Sequence, residues 1–163
     1  MATSTRSGGC HCGAVRFEAD LPDAFDIEDC NCSICAMSGN THVIVPASRF
    51  RLLKGDLTEY TFNSGQARHL FCKTCGIKSF YVPRSNPDGF AITWRCLDDW
   101  QSLNVTINAF DGQNWEANAG ALAHVDRPHH RHHHPDRTGG VCAWVRRLAH
   151  ATASRPAPCA VPR

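Results

Sequence analysis

An all-β fold is predicted for residues 1–125, on three observations. Short alternating or apolar runs recur along the segment, turn residues punctuate them, and no long stretch carries the 3.6-residue period of a helix. In order, the runs are AVRFEA (14–19), THVIVP (41–46), RFRLL (49–53), LTEYTF (57–62), RHLF (68–71), KSFYV (78–82), GFAITW (89–94) and LNVTINAF (103–110). All but the first are rich in the β-branched and aromatic residues that suit a half-buried pleated surface, and the first alternates. Ser38-Gly39-Asn40, Lys54-Gly55-Asp56, Asn63-Ser64-Gly65 and Ser85-Asn86-Pro87-Asp88-Gly89 separate them as turns. Residues 111–119, DGQNWEANA, read as one short helix with Asp111 at its N-cap.

The 163 residues suffice for one ordinary domain, and 42% hydrophobic with 20% charged residues is globular composition. No run approaches the length of a membrane helix. The N-terminal MATSTRSGG has no apolar stretch, so no secretory signal is read and a reducing cytoplasmic location is expected. Ten cysteines in that setting point to metal before disulfide. A net charge of +2 is too small to argue for a nucleic-acid partner.

That charge is unevenly spread. Residues 126–163 carry seven arginines against two aspartates, a local +5 that leaves −3 on residues 1–125. The texture changes at the same place, with RPHHRHHHPDRTGG, a short VCAWVRRLAHA and a proline-broken ASRPAPCAVPR. So small a segment buries too little to offset its ordering entropy, and 126–163 is expected to be a disordered His/Arg/Pro-rich tail.

Seven cysteines fall into three groups, Cys10-x-Cys12, Cys30-x-Cys32-x-x-Cys35 and Cys72-x-x-Cys75. A C-x-x-C pair followed by glycine, as in CKTCG (72–76), has the shape of a metal knuckle, since glycine lets the backbone turn so that both sulfurs face one point. A structural zinc takes four ligands, and a catalytic zinc keeps three protein ligands and one exchangeable position. One partition is therefore Cys10, Cys12, Cys72 and Cys75 against Cys30, Cys32 and Cys35. Another, equally allowed by spacing, joins Cys30 and Cys32 to Cys72 and Cys75. All-thiolate tetrahedral sites suit zinc or iron, with zinc preferred.

GGCHCGAVRFEA, CNCSIC and FCKTCGIKSFYVPRSNPDGF, in this order, resemble the family of the glutathione-dependent formaldehyde-activating enzyme and centromere protein V. VPASRFRLLKG (45–55), YTFN (60–63), CLDD (96–99) and FDGQNWE (110–116) bring the likeness closest to the centromere protein V branch, over roughly residues 8–118. The resemblance implies an Mss4-like β fold and two zinc ions. It makes Cys10, Cys12, Cys72 and Cys75 the structural site and Cys30, Cys32 and Cys35 the catalytic one. It also implies a carbon–sulfur lyase that adds glutathione to formaldehyde. The second reading it leaves is a zinc-stabilised binding module without catalysis. Against that stand the open three-ligand group and the few residues before Gly8, where the vertebrate protein has a long basic extension.

Three thiolates on a zinc ion leave one net negative charge. Such a site suits a thiol better than an acidified water, and the bound thiol is held as thiolate near neutral pH. Expected partners are thus a small thiol and an aldehyde, with neither nucleic acid nor membrane. Cys96 is expected to pack rather than ligate. His11 should point away from the ligands beside it. His42 and His69 are structural histidines or proton shuttles. Arg68, Arg84 and Arg95 are candidates for a glutathione carboxylate, and Trp94, Phe71 and Phe80 for the core. Cys142, Cys159 and the histidines at 129, 130 and 132–134 are expected to play no part. If the boundary is right, a chain ending after Val125 keeps its metal content and thermal midpoint. Loss of either on truncation would move the boundary.

Overall fold

The structure is a computed structural model and describes residues 3–122. Ten strands are formed among these residues: Thr3–Gly9 (β1), Arg16–Pro22 (β2), Ala24–Cys30 (β3), Thr41–Pro46 (β4), Phe50–Lys54 (β5), Leu57–Tyr60 (β6), Arg68–Cys72 (β7), Phe80–Val82 (β8), Gly89–Thr93 (β9) and Asn104–Phe110 (β10). Two short helices join them, Ser33–Ser38 (α1) and Trp115–Asn118 (α2). A three-stranded antiparallel sheet runs β1-β2-β5, and a seven-stranded sheet runs β10-β3-β4-β9-β8-β7-β6. Only the β3–β10 pair is parallel, in register from Ala24↔Asn104 to Cys30↔Phe110.

Alternation along β2 sets the inner face of the small sheet. Phe17, Ala19 and Leu21 are fully buried, while Arg16, Glu18 and Asp20 face outward, because successive strand side chains point to opposite faces. On the outer face Arg51 pairs with Glu18 at 3.2 Å and Asp20 at 2.8 Å. On the inner face Phe17 stacks on Phe50, with ring centroids 5.3 Å apart, and meets Phe80 edge-on at 5.8 Å. Phe50 continues to Phe90 at 4.2 Å. These four rings knit the two sheets together.

The strand β8 is buried on both faces, and this positions the site. Phe80 points into the aromatic core. Tyr81 points the other way, opposite His69 on β7 and Ala91 on β9. His42 on β4 shares that second face through its pairing with Thr93. One face of the large sheet is thus core, and the other carries polar rings.

Each of the eight expected runs contains a strand, with ends shifted by up to three residues. The sequence reading omits β1, β3 and α1. β1 is polar except for its glycines and has β2 as its one strand neighbour, with a single bridge from Gly8 to Leu97 on the other edge, so no apolar alternation marks it. β3 does alternate, but Asp26, Glu28 and Asp29 dilute its β-propensity. The expected helix over 111–119 is a 3-10 turn at Gly112–Asn114, then α2, then a second 3-10 turn at Ala119–Ala121. The Asp111 side chain makes no capping bond; it accepts from the side-chain amides of Asn31 (3.0 Å) and Asn114 (2.7 Å). Trp94 and Phe80 are buried as expected, whereas Phe71 is only half-buried. The expected tail, with Cys142, Cys159 and the histidine run, lies outside the described residues.

Phe80 touches three other rings and is 1% exposed. Phe80→Ala should lower the unfolding free energy by about 3–5 kcal/mol, as for other large-to-small aromatic core changes. Chemical denaturation measures this, and a loss below about 1 kcal/mol would show that the sheets do not share this core.

Candidate metal centres and the pocket beside one of them

The chain brings its cysteines together in two groups. The first joins Cys10 and Cys12, after β1, to Cys72 and Cys75, at the end of β7 and just past it. Backbone turns aim the sulfurs. Gly76, at φ +73°, closes the turn in which its N–H donates to the Cys72 carbonyl at 2.9 Å. Across the centre, Val15 N–H donates to Cys10 Sγ at 3.2 Å. Cys12 Sγ lies 3.6 Å from Cys10 Sγ and 3.5 Å from Cys72 Sγ, and all four sulfurs lie within 4.8 Å of one another. Four sulfurs at the usual zinc–sulfur length of about 2.3 Å sit roughly 3.8 Å apart in a tetrahedron, so this donor set fits a zinc ion.

The second group is Cys30, Cys32 and Cys35, also within 4.8 Å of one another. Cys30 ends β3, Cys32 precedes α1, and Cys35 lies in it. The parallel partner β10 delivers Phe110 and Gly112 to the same place, where Asn31 N–H donates to the Phe110 carbonyl at 3.1 Å. A Cβ on Gly112 would stand 2.5 Å from Cys30 Sγ and 3.0 Å from Cys32 Cβ, so glycine here leaves the sulfurs their room. Three convergent thiols with that space kept beside them fit a metal holding an exchangeable position. Hydrogen bonds from Cys30 and then Cys35 push the Cys32 thiol strongly down, and Cys30 rises in consequence.

Cys30 and Cys32 open on a cavity of about 370 Å³, which none of the four cysteines of the first group lines. Its walls include Phe62, His69, Tyr81, Arg84, Phe110 and Trp115. His42 is buried among its neighbours, 3.3 Å from the Tyr81 hydroxyl and 3.4 Å from Asn40 Nδ2. Asn40 Nδ2 in turn reaches Cys35 Sγ at 4.0 Å. His69 stacks on Tyr81 at 5.1 Å, is 3% exposed, and has no hydrogen-bond partner on either ring nitrogen. Burial, with the nearby Lys78 charge, lowers both histidines to about 4, so both rings are neutral near pH 7.

Of the three candidate arginines, Arg84 alone lines the cavity. It lies over the Trp115 ring at 5.4 Å and pairs with Glu116 at 2.7 Å. Arg68 pairs with Glu59 and Arg95 lies over Trp94. Cys96 belongs to neither group, and burial raises its thiol to about 11. His11 is exposed. Sequence reasoning passed over Lys78, Tyr81, Asn40, Gly112 and Trp115. Gly112 and Trp115 stood inside the FDGQNWE motif and Lys78 and Tyr81 inside FCKTCGIKSFYVPRSNPDGF, whereas Asn40 was marked only as a turn residue.

Two outcomes follow. Gly112→Ala should disturb metal binding at Cys30, Cys32 and Cys35 while the other group keeps its metal, as metal analysis per chain would read. An unchanged metal content would mean the glycine is not needed there. Below pH 6.5 the unfolded chain protonates at His42, while the folded chain resists until about pH 4. Stability should therefore fall as pH drops through that window, and less steeply in His42→Gln. Equal slopes would show that His42 is not held neutral.

A family model described as glutathione-dependent formaldehyde-activating enzyme matches residues 5–113. A crystal structure of a Rhodobacter sphaeroides protein is 33% identical and superposes with a TM-score of 0.52, covering 61% of this chain and 99% of that one. With its mostly β architecture and the family match over more than half its length, the chain belongs to the glutathione-dependent formaldehyde-activating enzyme family, of Mss4-like fold.

Proposed function

We propose that the chain is a zinc-dependent carbon–sulfur lyase-type enzyme that joins a small thiol, glutathione by family, to an aldehyde, formaldehyde by family. The observation that carries this is the opening of Cys30 and Cys32, and not of the four-cysteine group, onto a 370 Å³ aromatic-walled cavity. On this reading Cys10, Cys12, Cys72 and Cys75 hold a structural zinc ion and Cys30, Cys32 and Cys35 a catalytic one. Bound there, the metal supplies one thing, a thiol held as its thiolate near neutral pH.

The remaining work falls to side chains. Phe62, Tyr81, Phe110 and Trp115 exclude water around the reacting atoms. Arg84, which lines the cavity and pairs with the exposed Glu116, would bind a carboxylate of the thiol in exchange for that partner. His69 has both ring nitrogens free, so it can donate to the aldehyde oxygen while the sulfur approaches. The carbon–sulfur bond forms from a sulfur lone pair, the carbonyl π pair moves onto oxygen, and oxygen takes up the equivalent of the proton the thiol lost. No electron is exchanged with a third party. No helix among the described residues is long and apolar enough to cross a membrane, and a cytoplasmic place fits substrates of this kind.

Cys32→Ser tests the assignment. It should lose one zinc per chain and reduce thiol-dependent formaldehyde consumption to the spontaneous rate, with an unchanged circular dichroism spectrum. Cys72→Ser should instead unfold the domain, because a structural zinc contributes folding energy directly. A Cys32→Ser chain that is folded, short of one zinc and fully active would show that the triplet is not the catalytic centre, and a wild-type chain no faster than the spontaneous rate would leave the non-catalytic binding module as the better reading.

A further inference from the structure

Lys78 sits in the segment between the Cys72–Gly76 turn and β8. It is 7% exposed, its Nζ has no hydrogen-bond partner, and no carboxylate pairs with it among the described residues. Its one close contact of note is the Tyr81 ring, with Nζ 5.0 Å from the centroid. The backbone holds it in place, for Thr93 Oγ1 donates to the Lys78 carbonyl at 2.7 Å and lies 2.5 Å from Oδ1 of Asn40, whose Nδ2 reaches Cys35 Sγ at 4.0 Å.

An isolated buried ammonium is costly, and a protein ordinarily neutralises it or pairs it. The charges that raise the Lys78 ammonium's affinity for its proton are those of Cys35, Cys32 and Cys30, against a burial that lowers it. The geometry points the same way: the Tyr81 ring that Nζ touches lines the cavity onto which Cys30 and Cys32 open, and the contacts from the Lys78 carbonyl through Thr93 and Asn40 end on Cys35 Sγ, so the anions this buried cation faces are the sulfurs. A divalent metal on three thiolates carries one net negative charge, and a further anionic sulfur brings it to two. Such a charge in a half-buried site is unfavourable without a counter-ion.

We propose that Lys78 is the fixed counter-cation of the Cys30–Cys32–Cys35 centre, and that it enables this centre to take a further anionic sulfur from the cavity. Lys78 does not line the cavity and touches no substrate, so it is a positioning residue. The inference rests on the triplet being a thiol-accepting metal site, and goes beyond it by naming what offsets the charge.

Cobalt(II) loading of the full chain tests it, because sulfur-to-cobalt charge-transfer bands count thiolates. The histidine-rich residues 129–134 give no sulfur band. Glutathione added to the wild-type protein should raise the band and saturate. In Lys78→Met the midpoint should move to about 10- to 100-fold higher glutathione, the size usual for losing a supporting residue around a metal. Lys78→Arg should stay near the wild type. The thermal midpoint of Lys78→Met should hold or rise, since an unpaired buried charge has been removed. Lys78→Met that titrates like the wild type, while the wild type does respond to glutathione, would overturn the Lys78 inference alone. A wild type whose sulfur band ignores glutathione would overturn the thiol-accepting reading of the triplet and, with it, the inference. Should Lys78→Met not fold, Lys78→Gln against Lys78→Arg makes the same comparison.

Discussion

Cys12 and Cys72 are 60 residues apart in the chain and 3.5 Å apart at sulfur, and the rest of the architecture hangs on that convergence. It ties the turn after β1, in the small sheet, to the end of β7, in the large one. Closing so long a loop removes much entropy from the unfolded chain. The second group lies wholly within residues 30–35 and closes almost no loop. On the proposed reading the same ligand chemistry does two jobs, a staple where it spans distant segments and a substrate site where it is local.

The aromatic layer between the sheets then decides what each face of β8 sees. Phe80 joins Phe17, Phe50 and Phe90, and this locks the strand's orientation. With the side chains alternating, Tyr81 can only point to the opposite face, toward His42 and His69. Packing on one side of the sheet thus places the polar groups on the other. The parallel pairing of β3 with β10 adds the third constraint, since it brings Cys30 and Gly112 to one end of the sheet.

Much of this was legible in one dimension. β4 could be read with its boundaries intact because THVIVP is apolar and flanked by turn residues. The cysteines could be sorted by ligand count, and the groups the chain brings together are the four and the three rather than the mixed alternative. What was not legible is instructive. β1 is a polar edge strand, held by backbone pairing and by Arg6 bonds to Asp23 and Asp99, and backbone pairing leaves no hydrophobic signature. His69 and Lys78 matter through the hydrogen-bond partner each lacks, and no sequence pattern records a missing hydrogen bond. Arg84 could not be told from Arg68 and Arg95 until the fold put it alone at the cavity.

X-ray absorption at the zinc edge of the purified protein, free of added thiol, tests the two-centre account most directly. The expected result is two zinc ions per chain, one with four sulfur neighbours and one with three and a lighter fourth atom. Cys32→Ser would remove only the second. One zinc per chain, or two ions each with four sulfurs, would contradict the division into a staple and an open centre.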